Sequence, residues 1–194
     1  MVIILVGELR GNQDNWETLD AFRHNNNASL FIGSYTPSEW EVFPLSNQII
    51  QTHYLSDLFY NCLHQDVERY KHQYSNLFLT WEHFKNIIGE NEIIVKLRND
   101  FTLYGDLELD FNTLEDNTIY VPETEFHEST PFDTNTVCND QIVIGAKKSM
   151  DVYFQFPNKI SSSQPNTMSV EELLREYLRQ QNLNLKTFKW TYTK

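Results

Sequence analysis

The chain opens on five consecutive apolar residues, Val2-Ile3-Ile4-Leu5-Val6, four of them β-branched. A strand with one wet face alternates apolar and polar side chains. An unbroken run of this kind instead suits a strand buried on both faces, as in the parallel sheets of α/β proteins. Similar short runs recur over residues 28–33, 46–52, 92–98, 118–122, 141–145 and 186–192. Helical spacing separates several of them. Asp14 is placed to cap a helix carrying Trp16, Leu19 and Phe22, which Asn25-Asn26-Asn27 ends. Leu55, Leu58, Phe59, Cys62 and Leu63 share one helix face; Leu77, Trp81, Phe84 and Ile88 share another, stopped by Gly89. A helix is expected over residues 147–156. Ser169-Val170-Glu171-Glu172 is a capping box opening a helix whose apolar stripe is Val170, Leu173, Leu174, Tyr177 and Leu178. The expected fold is α/β, with a mixed, mostly parallel central sheet flanked by helices in a single domain over residues 1–194, either alone or as the N-terminal domain of a longer polypeptide.

Bulk properties narrow the partners. At 194 residues the chain is long enough to bury one sizeable core. Thirteen Phe, ten Tyr and four Trp exclude disorder and leave aromatics to spare for lining a pocket. A formal net charge of -12 argues against a nucleic-acid or anionic-membrane surface, which needs clustered Lys and Arg. It does not exclude an anionic small ligand held by a local Arg or a metal ion. The two cysteines, Cys62 and Cys138, make no disulfide framework, and no Cys/His spacing suggests zinc. The opening apolar run is too short for a signal-peptide core, and nothing approaches the roughly 20 apolar residues of a membrane span. A soluble, cytoplasmic protein without an integral membrane segment is expected.

Three polar clusters fall beside strand ends: Gly7-Glu8-Leu9-Arg10, Leu97-Arg98-Asn99-Asp100 and Asn139-Asp140-Gln141. Ligands of open α/β sheets bind outside the carboxyl ends of strands, so the clusters suggest one shared site. Gly7 allows close approach of a ligand to the backbone, and the planar fork of Arg10 suits a diphosphate. Neither Gly-x-Gly-x-x-Gly nor a P-loop is present, and a plain turn with an exposed Arg reads equally well. Asp100 can anchor Mg²⁺ or Mn²⁺ through oxygen, or simply form a turn. Asp106, Glu108 and Asp110 are nearby alternatives for the metal, although their alternation with Leu107 and Leu109 is the pattern of a half-exposed strand or loop. Asp140 can act as a general base or grip a hydroxyl, or satisfy a loop backbone. Lys147 and Lys148 can contact phosphate, although solvation at a helix start is the plainer expectation. Residues 123–136 form a candidate lid containing His127, residues 101–117 are acidic and turn-rich, and residues 158–166 are linker-like. No Gly-x-Ser-x-Gly elbow is present.

The ordered set resembles a group of small GT-A-type glycosyltransferases found in bacterial surface-polysaccharide loci and in large DNA viruses, including algal viruses. The likeness runs over residues 2–155. It consists of a first strand with Gly7-Glu8-Leu9-Arg10, then Trp16, the strand Leu30-Phe31-Ile32-Gly33, and Arg98-Asn99-Asp100. It closes with Asn139-Asp140-Gln141-Ile142-Val143-Ile144-Gly145, Met150 and Tyr153. The resemblance implies a GT-A-like (Rossmann-like) sheet, a nucleotide-sugar donor with UDP-sugars favoured, and Mn²⁺ or Mg²⁺. It also implies a glycan or other hydroxyl acceptor. Gly7, Arg10, Arg98 and Asp100 would hold the donor, Asp100 the metal, and Asp140 would serve as base in an inverting reaction. Arg98 stands where the first carboxylate of the group's Asp-x-Asp is expected. Tyr35 or Trp40 can stack on base or sugar, although core packing is the plainer expectation for either one. Two other classes compete: a non-catalytic carbohydrate- or protein-binding module on a degenerate transferase fold, and a metal-dependent phosphoryl-transfer enzyme or nuclease.

Overall fold

The computed structural model of the chain describes residues 1–7, 13–35, 48–53, 55, 67–98, 107–123, 138, 140–159 and 169–190. Strands β1 (Val2–Val6), β2 (Ser29–Ser34), β3 (Gln48–Gln51), β4 (Ile93–Arg98), β5 (Leu107–Glu108), β6 (Thr118–Pro122), β7 (Ile142–Ala146) and β8 (Asn184–Trp190) form one sheet in the order β3-β2-β1-β4-β7-β6-β8-β5. Helices α1 (Gln13–Asn25), α2 (Val67–Phe84), α3 (Lys147–Phe154), α4 (Phe156–Lys159) and α5 (Val170–Gln180), with a 3-10 turn at Phe111–Thr113, supply the covering layers.

The α/β class is as expected, but the sheet is mixed rather than mostly parallel. β1 pairs parallel with β2 and β4, β2 with β3, and β6 with β8. β7 runs antiparallel to both β4 and β6, and β5 antiparallel to β8. The physical reason is that an unbroken apolar run reports burial on two faces, not strand direction. β6 and β7 are as buried as β1, although β7 runs the other way. Gly145 lets β7 fit this place: a Cβ there would lie 3.2 Å from the Thr118 carbonyl of β6 and 3.4 Å from Met150 Cγ.

Strand alternation divides the core into two clusters. Val2, Ile4, Val6, Phe31, Ile94, Val143, Ile119 and Val121 pack against α2, α3, α4 and α5. Ile3, Leu5, Leu30, Ile32, Val95, Leu97, Ile142 and Ile144 pack with Leu19, Trp16 and Phe22 of α1 and with Phe111 of the 3-10 turn. Trp81 of α2 stacks on Phe154 of α3 with centroids 4.4 Å apart and planes 7° from parallel, joining the helices of the first layer.

Helix ends follow local chemistry. Ser169 accepts from the Glu172 amide and the Glu172 side chain accepts from the Ser169 amide, completing the capping box. All five residues of the expected α5 stripe are buried. Asp14 lies within the helical range of α1, after Gln13, rather than at a cap preceding it. Asn27, with φ 46°, closes the other end in the left-handed conformation that asparagine tolerates. The helix expected over residues 147–156 is instead α3 followed by α4, broken at Gln155. Pro157 has no N–H to continue one helix, and its ring would crowd the carbonyl four residues earlier. Lys147 is not solvated: it pairs with Asp151 at 3.0 Å and Glu90 at 3.3 Å, and stands 5.8 Å from the Trp81 ring centre. The helix read at residues 55–63, the lid and the linker lie largely outside the described residues.

Candidate functional site

From β1 the sheet order runs outward through β2 and β3 on one side and through β4 on the other. The crevice beyond such a reversal is where open α/β sheets take ligands. Gly7 closes β1 at this point. Its φ of 120° belongs to the region favouring glycine, and its amide donates to the Gly33 carbonyl at 3.3 Å. Arg98 closes β4 in register with Val6.

The third cluster reaches the same edge because β7 is antiparallel. Residues preceding a parallel strand would lie at the opposite edge, whereas those preceding β7 meet the end of β4. The Arg98 amide donates to the Gln141 carbonyl at 3.2 Å, and Leu97 faces Ile142. Gly7, Arg98 and Asp140-Gln141 therefore occupy three adjacent strand ends. Arg10, Asp100 and Asn139 lie outside the described residues, as do Trp40, His127 and Cys62.

Asp140 is the best-defined group of the site. It is 7% exposed. Its Oδ2 accepts from Gln73 Nε2 at 2.7 Å and from the Tyr74 hydroxyl at 3.2 Å, both on α2. The Lys96 ammonium stands 4.0 Å from the same oxygen and donates to the Asp140 main-chain carbonyl. Lys96 itself is 1% exposed in the middle of β4, where it faces the α2 layer together with Ile94. A buried carboxylate needs such a set of donors and a counter-charge, because either ion alone would be strongly desolvated.

Burial and the nearby carboxylate hold the protons of the surrounding phenols and thiol more tightly. Burial, with Asp140 second, pushes the Tyr74 phenol well above its ordinary range. The same two causes raise the Tyr153 hydroxyl, opposed by Arg98, and this fully buried hydroxyl has no hydrogen-bond partner among the described residues. Cys138 is sealed from solvent, its thiol raised first by burial and then by Asp140, with Lys96 and Arg175 opposing. A second polar group lies beneath the ends of β2 and β3, where Ser34, Thr52, Ser75, Asn76 and Thr80 are all buried. Tyr35 is half-buried and meets His72 edge-on at 5.3 Å, so its ring is engaged within the fold.

Among the described residues, no group of three His, Cys, Asp or Glu stands together as a metal cage. Asp140 has an ammonium as its neighbour, which disfavours a second cation there. None of the described helices is long and apolar enough to cross a membrane.

Sequence reading missed Lys96, Gln73 and Tyr74. Lys96 did leave a signal, a lysine on the same strand face as Ile94 in an otherwise apolar run. Gln73 and Tyr74 left none, since nothing in the local sequence ties a helix side chain to a carboxylate 67 or 66 residues away. No protein-family model matches the chain, and no curated protein matches it.

Proposed function

We propose that the chain is a glycosyltransferase on a GT-A-like frame. It moves a sugar from a nucleotide-diphosphate donor, a UDP-sugar before others, to a hydroxyl of a glycan or glycoprotein acceptor. The observation that carries the reading is the meeting of three strand ends at the sheet's reversal point. There a close-approach glycine (Gly7), a cation (Arg98) and an oriented carboxylate (Asp140) share one edge. Binding a nucleotide diphosphate and presenting a carboxylate to a hydroxyl need these three chemistries side by side.

In this reading Gly7, Arg10 and Arg98 face the donor. Asp100 is the residue proposed to hold Mn²⁺ or Mg²⁺, whose chemistry when bound is to neutralise charge on a leaving diphosphate. Asp140 faces the acceptor hydroxyl. A second reading, a carbohydrate-binding module without turnover, draws on the depth of Asp140 and its ammonium neighbour. The two part on one assay: release of free nucleotide from UDP-glucose, UDP-galactose and UDP-N-acetylglucosamine, with Mn²⁺, in the native protein and in Asp140→Asn. The transferase reading expects release by the native chain and at least a tenfold loss in the variant, with UDP binding retained. Binding without release in the native chain would favour the module.

A further inference from the structure

We propose that Lys96 is a positioning residue of this site: its ammonium, sealed beneath the strand ends, fixes Asp140 so that one carboxylate oxygen belongs to the protein and the other to the ligand. The hydrogen bonds from Gln73 and Tyr74 both fall on Oδ2, and the ammonium stands nearest that oxygen at 4.0 Å. Among the described residues Oδ1 accepts no hydrogen bond, while the side chain keeps 9% of its surface open. Lys96 also grips the Asp140 main-chain carbonyl, so it fixes the approach of the chain into β7 as well as the carboxylate.

The Tyr74 hydroxyl contacts Asp140 directly, and the Tyr153 hydroxyl and Cys138 thiol are buried groups whose protons the carboxylate helps to retain, with Arg98, Glu171 and Arg175 acting on the same groups. An apolar residue at position 96 would continue the inward pattern set by Ile94, and a buried ammonium is costly to desolvate. Its contribution is the fixed orientation of Asp140 at the ligand-facing edge.

This inference deepens the transferase reading and rests on it. In an inverting transfer, the acceptor oxygen forms the new bond to the anomeric carbon. The bond from that carbon to the diphosphate oxygen breaks, and its electron pair leaves on the nucleotide diphosphate. The hydroxyl proton passes to Asp140 Oδ1. Lys96 touches neither donor nor acceptor and acts only through Asp140, so its loss should slow turnover without weakening donor binding.

The test compares Lys96→Met, Lys96→Arg and Tyr74→Phe with the native chain, after thermal melts identify the folded variants. UDP affinity with Mn²⁺ and the kcat and KM for UDP release from UDP-glucose and UDP-galactose are measured. Expected are at least a tenfold fall in kcat for Lys96→Met with UDP affinity and KM within twofold, and recovery of a third or more of kcat in Lys96→Arg. Native kcat in Lys96→Met, or UDP affinity falling in step with kcat, overturns the proposal. If Lys96→Met does not fold, Tyr74→Phe, which removes one bond to Oδ2, decides: a several-fold fall in kcat at unchanged UDP affinity supports the clamp, and unchanged kcat overturns it. A well-folded native chain that binds none of UDP, GDP, CMP and dTDP overturns the transferase reading, a failure visible before any variant is made.

Discussion

Replacing Lys96 by Met is the sharpest stability test of the site's construction. The Lys96 side chain is 2% exposed and that of its carboxylate partner 9%, so water reaches neither charge beyond the small open part of the carboxylate. After the substitution Asp140 keeps the Gln73 and Tyr74 hydrogen bonds but loses its counter-charge, and its main-chain carbonyl loses a donor. Breaking a buried pair from one side costs about 3–5 kcal/mol. For a chain of this size that is a fall in Tm of roughly 6–20 °C. Asp140→Asn should cost less, because the amide oxygen can still accept from Gln73 and Tyr74 and the ammonium still donates to the carbonyl. The double variant Lys96→Met/Asp140→Asn removes both charges and should return to within about 2 kcal/mol of the native chain. Urea unfolding followed by far-ultraviolet circular dichroism on all four proteins gives the cycle. The double variant should be at least about 2 kcal/mol more stable than the sum of the single losses implies. Additive losses, or a Lys96→Met variant within about 1 kcal/mol of native, would refute a buried pair built on mutual compensation.

Other outcomes follow from the same packing and charge arguments. Gly33→Ala would put a Cβ 1.8 Å from Thr80 Oγ1, so α2 must shift on β2; a loss of about 1–3 kcal/mol is expected in a melt, and an unchanged Tm would contradict the close approach. Ser169→Ala should cost about 1 kcal/mol by loss of the α5 cap, measured in the same way. Cys138, Tyr74 and Tyr153 hold their protons more tightly when folded than when unfolded. The unfolded chain therefore binds fewer protons above the ordinary thiol and phenol ranges, and the urea midpoint should fall as pH rises from about 8.5 to beyond 10. A flat midpoint to pH ~10.5 would contradict it. In native protein at pH ~8, peptide mapping after iodoacetamide should find Cys138 unmodified, since alkylation needs an exposed thiolate.

What was legible in the sequence was whatever neighbouring residues decide. The α5 helix could be read whole, because its cap and stripe lie within one short segment and the cap needs no tertiary partner. The end of α1 was legible because Asn27 chooses its own backbone conformation. The direction of β7 was not legible: apolar continuity is the same for either direction, and only pairing with β4 and β6 distinguishes them. That direction is what brings Asp140 to the edge shared by Gly7 and Arg98. Lys147 was misread because its solvation is decided by Glu90, outside its own helix, as well as by Asp151. The charge at Lys96 was visible in the sequence, but its partner is 44 residues away and its remaining neighbours on the carboxylate come from α2.

The central claim is that these three strand ends form a nucleotide-diphosphate site. Its most direct measurement is a thermal-shift panel of UDP, GDP, CMP and dTDP on the native chain, each with and without Mn²⁺. A ligand that binds the folded state at a hundred times its Kd adds about 2.7 kcal/mol of apparent stability, a shift well within reach of the method. The account predicts a selective rise with UDP that is larger in the presence of Mn²⁺. A well-folded protein whose Tm does not move with any of the four nucleotides would contradict it.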